Sequence, residues 1–104
     1  MITRIFRVSV PLDLHTEFEE NFLDISVPYV EKQPGFVSVF IGRPTKLQPE
    51  EYVMVSTWND EASIAAFAGN EWSQAVIPTG MEKYVKECWV HHYEIFGNSS
   101  IAAA

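Results

Sequence analysis

The sequence is poor in cysteine and in positive charge, and it has no long apolar run. Cys88 is the only cysteine among 104 residues, so no disulfide can form within the chain and a free thiol favours a reducing compartment. Fourteen acidic residues against seven basic ones give a net charge of −7, which argues against nucleic acid or an anionic membrane as partner. Arginines interrupt the apolar N-terminus and no stretch reaches about 18 apolar residues, so neither a signal peptide nor a membrane span is predicted. The predicted location is the cytoplasm.

Four stretches of the chain predict β-strands. Each is rich in β-branched and aromatic residues, and in each the side chains alternate between two faces. The stretches are residues 2–10, 36–43, 52–58 and 87–96. Both faces of these strands carry large apolar side chains. This two-sided pattern indicates a sheet that is covered on both faces.

Helical periodicity appears between the strands. After Pro11 the apolar side chains recur at spacings of three and four, which predicts a helix that Pro28 should kink and Pro34-Gly35 should end. That apolar stripe consists of Phe18, Phe22, Ile25 and Tyr29. A second helix is predicted from an N-cap at Asn59 or Asp60 as far as Gly69. Residues 71–77 predict a further short helix, and residues 81–85 a helical turn.

The order of these elements is β-α-β-β-α-β, which predicts a ferredoxin-like α+β fold with a four-stranded antiparallel sheet. We assign residues 1–97 to one domain and expect a disordered tail over 98–104. Two helices can cover only one face of such a sheet. The simplest cover for the other face is a second copy related by a two-fold axis, so we predict a homodimer through the open sheet face.

Several stretches together resemble the antibiotic biosynthesis monooxygenase domain, a family of small dimeric α+β barrels. They are "PGFVSVFIGR", "EEYVMVSTWNDEASIAAFAG", "EWSQAVIP" and "VHHYEIFG". The resemblance runs over about residues 2–96, and the tryptophan before an acidic helix start, "TWNDEA", is its most specific part. It implies the fold and the dimer first, because one fold hosts many functions.

Two functions follow from this resemblance as alternatives. The family includes oxygenases that oxidise aromatic polyketides without metal or flavin, which implies a cofactor-independent monooxygenase for a hydroxylated aromatic or quinone-like small molecule. Other members have no known activity, which leaves a non-catalytic dimeric domain that binds a small ligand or serves in stress. The volume of any cavity between sheet and helices separates the two, because a substrate site needs about 300 Å³ or more.

The family also includes enzymes that degrade heme, and the residues that they use can be compared with this sequence. That branch carries an asparagine in the first strand, a tryptophan midway along the second helix and a histidine near that helix's end. Aligned on "GF" and on the tryptophan before the second helix, these positions fall at Phe6, Phe67 and Ile77. All three residues differ, so the sequence predicts neither heme nor any other cofactor.

The adjacent histidines His91 and His92 are the candidates for chemistry. Neighbours in a strand point to opposite faces, so they cannot serve one site together. We assign catalysis to His92, since family sequences similar to this one carry "HYE" here and Glu94 on the same face can orient the ring and raise its basicity. A neutral imidazole could then take a phenolic proton. The alternative is a histidine held by a carbonyl or carboxylate. His92 and Glu94 lack a visible third partner, so no metal site is predicted.

Four residues are candidate substrate contacts. Trp58 and Trp72 flank the second helix and offer flat surfaces for an aromatic ligand, although core packing is the favoured explanation for Trp58. Tyr93 belongs to the "HYE" stretch. Arg43 ends the second strand and could hold an enolate or carboxylate oxygen, unless it is simply a solvated charge. Arg4 and Arg7, within the first strand, need partners in a sheet covered on both sides, and Glu94 on the neighbouring fourth strand is one candidate for either.

Overall fold

The computed structural model describes residues 1–99, in which four antiparallel strands form one sheet with helices on one side. The strands are β1 (Ile2–Ser9), β2 (Phe36–Gly42), β3 (Glu51–Trp58) and β4 (Glu87–Glu94). Their order in the sheet is β2-β3-β1-β4, so β2 and β4 are the edges. The predicted ferredoxin-like α+β fold is confirmed. The expected disordered tail lies outside the described residues from Ser100 onward.

The first helical region contains a change of helix type. A 3₁₀ turn (Leu12–Leu14) leads into α1 (His15–Asn21), then a π-helical segment (Phe22–Ser26), then α2 (Val27–Glu31). The N–H of Val27 bonds to the carbonyl of Phe22, five residues back. Pro28 has no N–H for the carbonyl four residues before it, and the wider turn adjoins that missing bond. The predicted break in regular hydrogen bonding is therefore present. The buried residues of this helical region are Phe18, Phe22, Ser26 and Val30.

The second helix, α3 (Glu61–Ala68), begins at a side-chain cap. Oδ1 of Asp60 accepts hydrogen bonds from the backbone N–H of Ser63 at 2.9 Å and from its hydroxyl at 2.7 Å. This confirms Asp60 as the N-cap. The helix ends at Gly69, whose φ of 89° suits only glycine.

The predicted short helix at 71–77 is wrong. Residues 69–81 instead form a series of turns, which we call the covering loop, ahead of a 3₁₀ turn at Glu82–Tyr84. One reason is that the guanidinium of Arg4 binds the carbonyl of Trp72, which a helix would use for its own backbone bonds, together with the carbonyl of Gln74. Pro78 removes a backbone donor as well. The predicted helical turn at 81–85 is confirmed as the 3₁₀ turn.

The register of the strands sorts their side chains into a helical face and an open face. On the helical face one cross-strand row runs from β2 to β4, and it consists of Val39, Ser56, Arg4 and His92. The corresponding row on the open face consists of Phe40, Val55, Ile5 and His91. The core lies between the helical face and the helices, where Trp58, Ile64 and Tyr84 have no exposed area. In the described part of the chain, no helix has the length and apolarity to cross a membrane.

Candidate active site at the Arg4–His92 pair

The two histidines of β4 lie on opposite faces of the sheet. His92 pairs in register with Arg4 on the helical face, whereas His91 pairs with Ile5 on the open face. The ring of His92 is half-buried and meets the indole of Trp72 edge-on, with centroids 4.4 Å apart. His91 is exposed. The covering loop and β4 thus bring two of the predicted site residues, Trp72 and His92, together.

Arg4 is the centre of this group. Its side chain lies among apolar residues of β1 and is only 4% exposed. Nη1 donates to the carbonyl of Trp72 at 2.6 Å and to Nε2 of His92 at 2.9 Å, and Nη2 donates to the carbonyl of Gln74 at 2.8 Å. Its Cζ lies 5.5 Å from the ring centroid of Phe67, a cation–π contact. Arg4 therefore holds the covering loop against the sheet.

The environment of His92 favours the neutral imidazole. Burial, then the charge of Arg4, then His91 lower the pKa of His92 from 6.5 to about 4. Because Nε2 accepts the bond from Arg4, the ring proton resides on Nδ1. The expected orientation and activation by Glu94 is wrong: Glu94 is exposed and pairs in register with Ile2, while Arg4 holds the ring and weakens its basicity.

This lowered pKa predicts a pH-dependent stability. Between pH 6.5 and about 4, His92 is protonated in the unfolded chain but neutral in the folded protein. The free energy of unfolding therefore falls as the pH falls through this window. With allowance for solvent screening of a half-buried ring, we expect the free energy of unfolding to fall by about 1–2 kcal/mol. Urea unfolding at pH 7 and pH 4.5, at fixed protein concentration, measures it. The His92→Gln variant should lose that part of the pH dependence, and His91→Gln should keep most of it, since His91 is the smallest of the three causes. Equal slopes for both variants would contradict the assignment.

Two spaces adjoin the Arg4–His92 pair. A small, partly open pocket of about 40 Å³, called the internal cavity below, lies between the sheet and the helices. It is mostly apolar, and Arg4 and two serines supply polar groups; its walls include Phe6, Ser26, Ser56, Phe67, Ile77 and Met81. Outside, an open groove of about 450 Å³ runs between the covering loop and β4, with Trp72, His91 and His92 on its walls. The Arg4–His92 hydrogen bond spans the partition between them.

The cavity volume bears on the two functions predicted from the sequence. A space of about 40 Å³ holds a few water molecules, since one needs roughly 10–15 Å³. An aromatic substrate needs about 300 Å³, which the outer groove has and the internal cavity lacks. The internal cavity would therefore have to widen to hold an aromatic molecule against Arg4.

The remaining sequence candidates lie apart from this group. Trp58 is fully buried, stacks on Phe67 with centroids 4.9 Å apart, and donates from Nε1 to Ser56 Oγ at 2.9 Å. It thus backs the cavity wall without lining the cavity. Tyr93 is 54% exposed and follows His92 in β4, so it lies on the open face.

Arg43 lies in a separate cleft. Its Nη2 binds Glu19 Oε1 at 2.8 Å, and the hydroxyl of Tyr52 donates to Glu19 Oε2 at 2.5 Å. The Tyr52 hydrogen bond and Arg43 hold the pKa of Glu19 below its usual value. This cleft of about 370 Å³ also has Leu23 and Ile41 on its walls. No sequence pattern indicated the cluster, because its members are 24 and 33 residues apart.

Arg4 is the functional residue that sequence reasoning missed. A signal was present: Arg4 stands where the alternation of β1 places Ile2, Phe6 and Val8, so its side chain had to enter the core face. The expected partner, Glu94, is not the one found, because the partners are carbonyls of a loop 68 and 70 residues away. Within residues 1–99, no cluster of three histidine, cysteine or acidic side chains is arranged to hold a metal ion.

Known proteins share this fold. The family model described as antibiotic biosynthesis monooxygenase matches residues 1–78. No curated protein matches the sequence. Among solved structures, the heme-degrader MhuD from Mycobacterium tuberculosis aligns with a TM-score of 0.73 at 21% identity, over 96% of this chain and 100% of its own. The cofactor-independent oxygenase SnoaB from Streptomyces nogalater aligns at 0.68 and 17% identity, over 93% and 94%. These likenesses establish the fold.

The cavity does not fit heme. The three positions aligned with the heme-degrading branch, Phe6, Phe67 and Ile77, all lie on the wall of the internal cavity. No histidine lines that cavity among the described residues. A macrocycle also exceeds a volume of about 40 Å³ many times over. The internal cavity thus supplies neither the histidine ligand nor the space that heme needs at the positions of that branch.

We therefore predict no specific heme binding. Titration of the protein with micromolar heme should give no saturable shift of the Soret band, because His92 Nε2 is already engaged by Arg4. A known heme-binding protein, titrated in parallel, is the control. A one-to-one shift that disappears in His92→Ala would overturn the prediction.

Proposed function

Since the chain belongs to the antibiotic biosynthesis monooxygenase family, we propose that it is a cofactor-independent monooxygenase acting on a hydroxylated aromatic or quinone-like small molecule. One observation carries the proposal: a buried cation, a neutral imidazole and an indole meet between an apolar cavity and an open groove. Convergent polar groups at an apolar pocket are the usual form of a small-molecule site.

The residues take distinct roles in this proposal. Trp72 stacks against the aromatic body as it enters from the groove, and His92 is the proton acceptor. Trp58 keeps Phe67 in place behind the cavity. Tyr93 and Arg43 remain proposed substrate contacts without a contact to this group. In the free protein His92 accepts from Arg4, so it takes a proton only when a ligand displaces that N–H.

The proposed reaction balances without a cofactor. A hydroxyanthrone-type substrate loses a proton to His92 and becomes an electron-rich anion, which dioxygen oxidises at the ring CH₂ carbon. One oxygen atom becomes the new carbonyl. The other leaves as water with the two hydrogens of that carbon, and His92 returns the hydroxyl proton to the product. The chain's own part is to bind the ring, accept the proton and exclude bulk water from the anion.

A second function is favoured by the small internal cavity. A non-catalytic dimeric domain that binds a small ligand needs no site of about 300 Å³, and about 40 Å³ suits it better. A His92 whose hydrogen bond is satisfied and whose pKa is lowered also fits a structural role. Turnover under oxygen separates the two functions, since only the oxygenase consumes the substrate.

The homodimer belongs to this proposal. The open face presents an apolar row of Phe40, Val55 and Ile5, and Phe40 is 62% exposed. An exposed apolar strip of this kind on a sheet is a usual sign of an interface. A second copy of the same sheet covers it with two-fold symmetry.

Single substitutions at the two histidines test the catalytic assignment. His92→Ala should lower oxygen-dependent turnover of a hydroxyanthrone by about 100-fold or more, the usual contribution of a general base. His91→Ala removes a ring that also lines the groove but makes no hydrogen bond to Arg4, so it should lower turnover far less than His92→Ala. Product formation is measured by absorbance under air and under nitrogen. Unchanged turnover in His92→Ala would contradict the assignment of His92 as proton acceptor. No turnover by the wild type would favour the ligand-binding alternative.

A further inference from the structure

The charge of Arg4 is buried without a compensating carboxylate. Within residues 1–99, no carboxylate oxygen lies within 4 Å of its guanidinium, although the chain carries fourteen acidic residues. The observed partners are two backbone carbonyls and a neutral imidazole. Burial alone lowers the pKa of Arg4 to about 10. Removing a cation from water is costly unless an opposite charge offsets it.

The guanidinium also has donors to spare. It carries five N–H groups, and three hydrogen bonds are formed, two from Nη1 and one from Nη2. One N–H on Nη2 and the N–H on Nε remain. Arg4 lies on the wall of the internal cavity, together with the hydroxyl-bearing Ser26 and Ser56. A cation with free donors at an apolar cavity is complementary to an apolar molecule that carries one negative oxygen.

We infer that Arg4 is an oxyanion site, and that its ligand is an aromatic molecule bound as the phenolate or enolate. The inference deepens the function proposed above and rests on it for the aromatic body of the ligand. The proton of the ligand hydroxyl passes to Nε2 of His92, and the new oxyanion takes over the Nη1–H that His92 had accepted. No covalent bond other than this O–H is broken. Before the transfer only Arg4 is charged; after it Arg4 and His92 are positive and the ligand oxygen is negative, so the total charge is unchanged.

The same step explains how the ligand reaches the cavity. The Nη1 that binds His92 also donates to the carbonyl of Trp72, and Nη2 donates to that of Gln74, so an oxyanion at Nη1 adjoins the bonds that hold the covering loop. A negative oxygen is a stronger acceptor than a carbonyl, so it competes for them. Release of the two carbonyls loosens the partition between groove and cavity, which makes room for the ring.

Binding without turnover tests the inference. The probe is a hydroxyanthraquinone, whose visible absorption shifts to longer wavelength when a ring hydroxyl ionises; its methyl ether, which cannot ionise, is the matched ligand. The already oxidised ring cannot undergo the proposed reaction. On the wild type the bound hydroxyl should ionise at a pH at least one unit below that of the free probe. The hydroxyl compound should bind about tenfold tighter than the ether, the effect of one charge-assisted hydrogen bond.

Substitutions of two arginines test whether Arg4 causes the preference for the hydroxyl compound. Arg4→Gln should abolish the tenfold preference, Arg4→Lys should retain part of it, and Arg7→Gln, which removes the same charge from the opposite face of β1, should keep it. Thermal melting of each variant checks the fold. If Arg4→Gln does not fold, the wild-type titration and Arg4→Lys still decide. Equal binding of hydroxyl compound and ether, or an unshifted ionisation on the wild type, would overturn the oxyanion site. Loss of turnover with a retained shift would overturn the oxygenase alone.

Discussion

Replacing Gly35 with alanine is expected to destabilise the protein by about 3 kcal/mol or more, through backbone strain and steric overlap together. Gly35 has φ of 81°, which L-residues rarely adopt, and its carbonyl accepts from the N–H of Asn59 at 2.9 Å. A Cβ at this position would lie 2.0 Å from Ser63 Oγ and 2.4 Å from Ser63 Cβ. The turn before β2 is thus packed directly on the first turn of α3, and neither can retreat without breaking the Asp60 cap.

Gly80 provides the control for this experiment. Its φ of 95° imposes the same kind of strain, but apart from its chain neighbours no atom lies within 4 Å of where an alanine methyl would stand. Gly80→Ala should therefore cost only about 1–2 kcal/mol. Urea unfolding of both variants gives the difference. A double variant, Gly35→Ala with Ser63→Gly, removes the overlap but not the strain and should recover part of the loss. Equal costs at Gly35 and Gly80 would show that the contact with Ser63 is unimportant.

Replacing Phe40 with aspartate is expected to convert the proposed dimer into a monomer at micromolar concentration. Phe40 lies on the open face beside Val55, and burial of an unpaired carboxylate in an apolar interface should raise the dissociation constant about 100-fold or more. Light scattering at several concentrations measures the mass. The variant should remain folded, because Phe40 is 62% exposed in the single chain.

Leu12→Asp is the matched control for the dimer. Leu12 is also 62% exposed, but it lies in the 3₁₀ turn before α1 and outside the sheet. It should leave the mass of the assembly unchanged. A wild-type protein that is monomeric at micromolar concentration, or a Phe40→Asp variant that remains dimeric, would contradict an interface on the open face.

The strands and the fold could be predicted from the sequence because their signal is local. Alternation in "YVMVSTW" sets which residues enter the core, and Tyr52, Met54, Ser56 and Trp58 are all buried as that pattern requires. The covering loop could not be predicted. Its apolar residues suit a helix, and besides Pro78 it is the carbonyl bonds to Arg4, across 68 and 70 residues, that determine otherwise.

The candidate site was predicted in part for the same reason. Alternation separated His91 from His92, but the face of each depends on where the helices pack, which a strand's own sequence does not encode. Glu94 was a reasonable partner by spacing within β4. The actual partner, Arg4, comes from the neighbouring strand, where pairing in register sets the contact.

The π-helical segment has a consequence for how related chains should be aligned. An ideal α-helix turns about 100° per residue, so four side chains spaced four apart would spread over about 120° of its surface. Phe18, Phe22, Ser26 and Val30 nevertheless all face the core, because the wider turn at Phe22–Ser26 rotates the second half back. A related chain with a regular α-helix in place of the π-helical segment would place the same side chains toward the core with one residue fewer. Its alignment gap is expected inside the helix, between 22 and 26, rather than in a flanking loop.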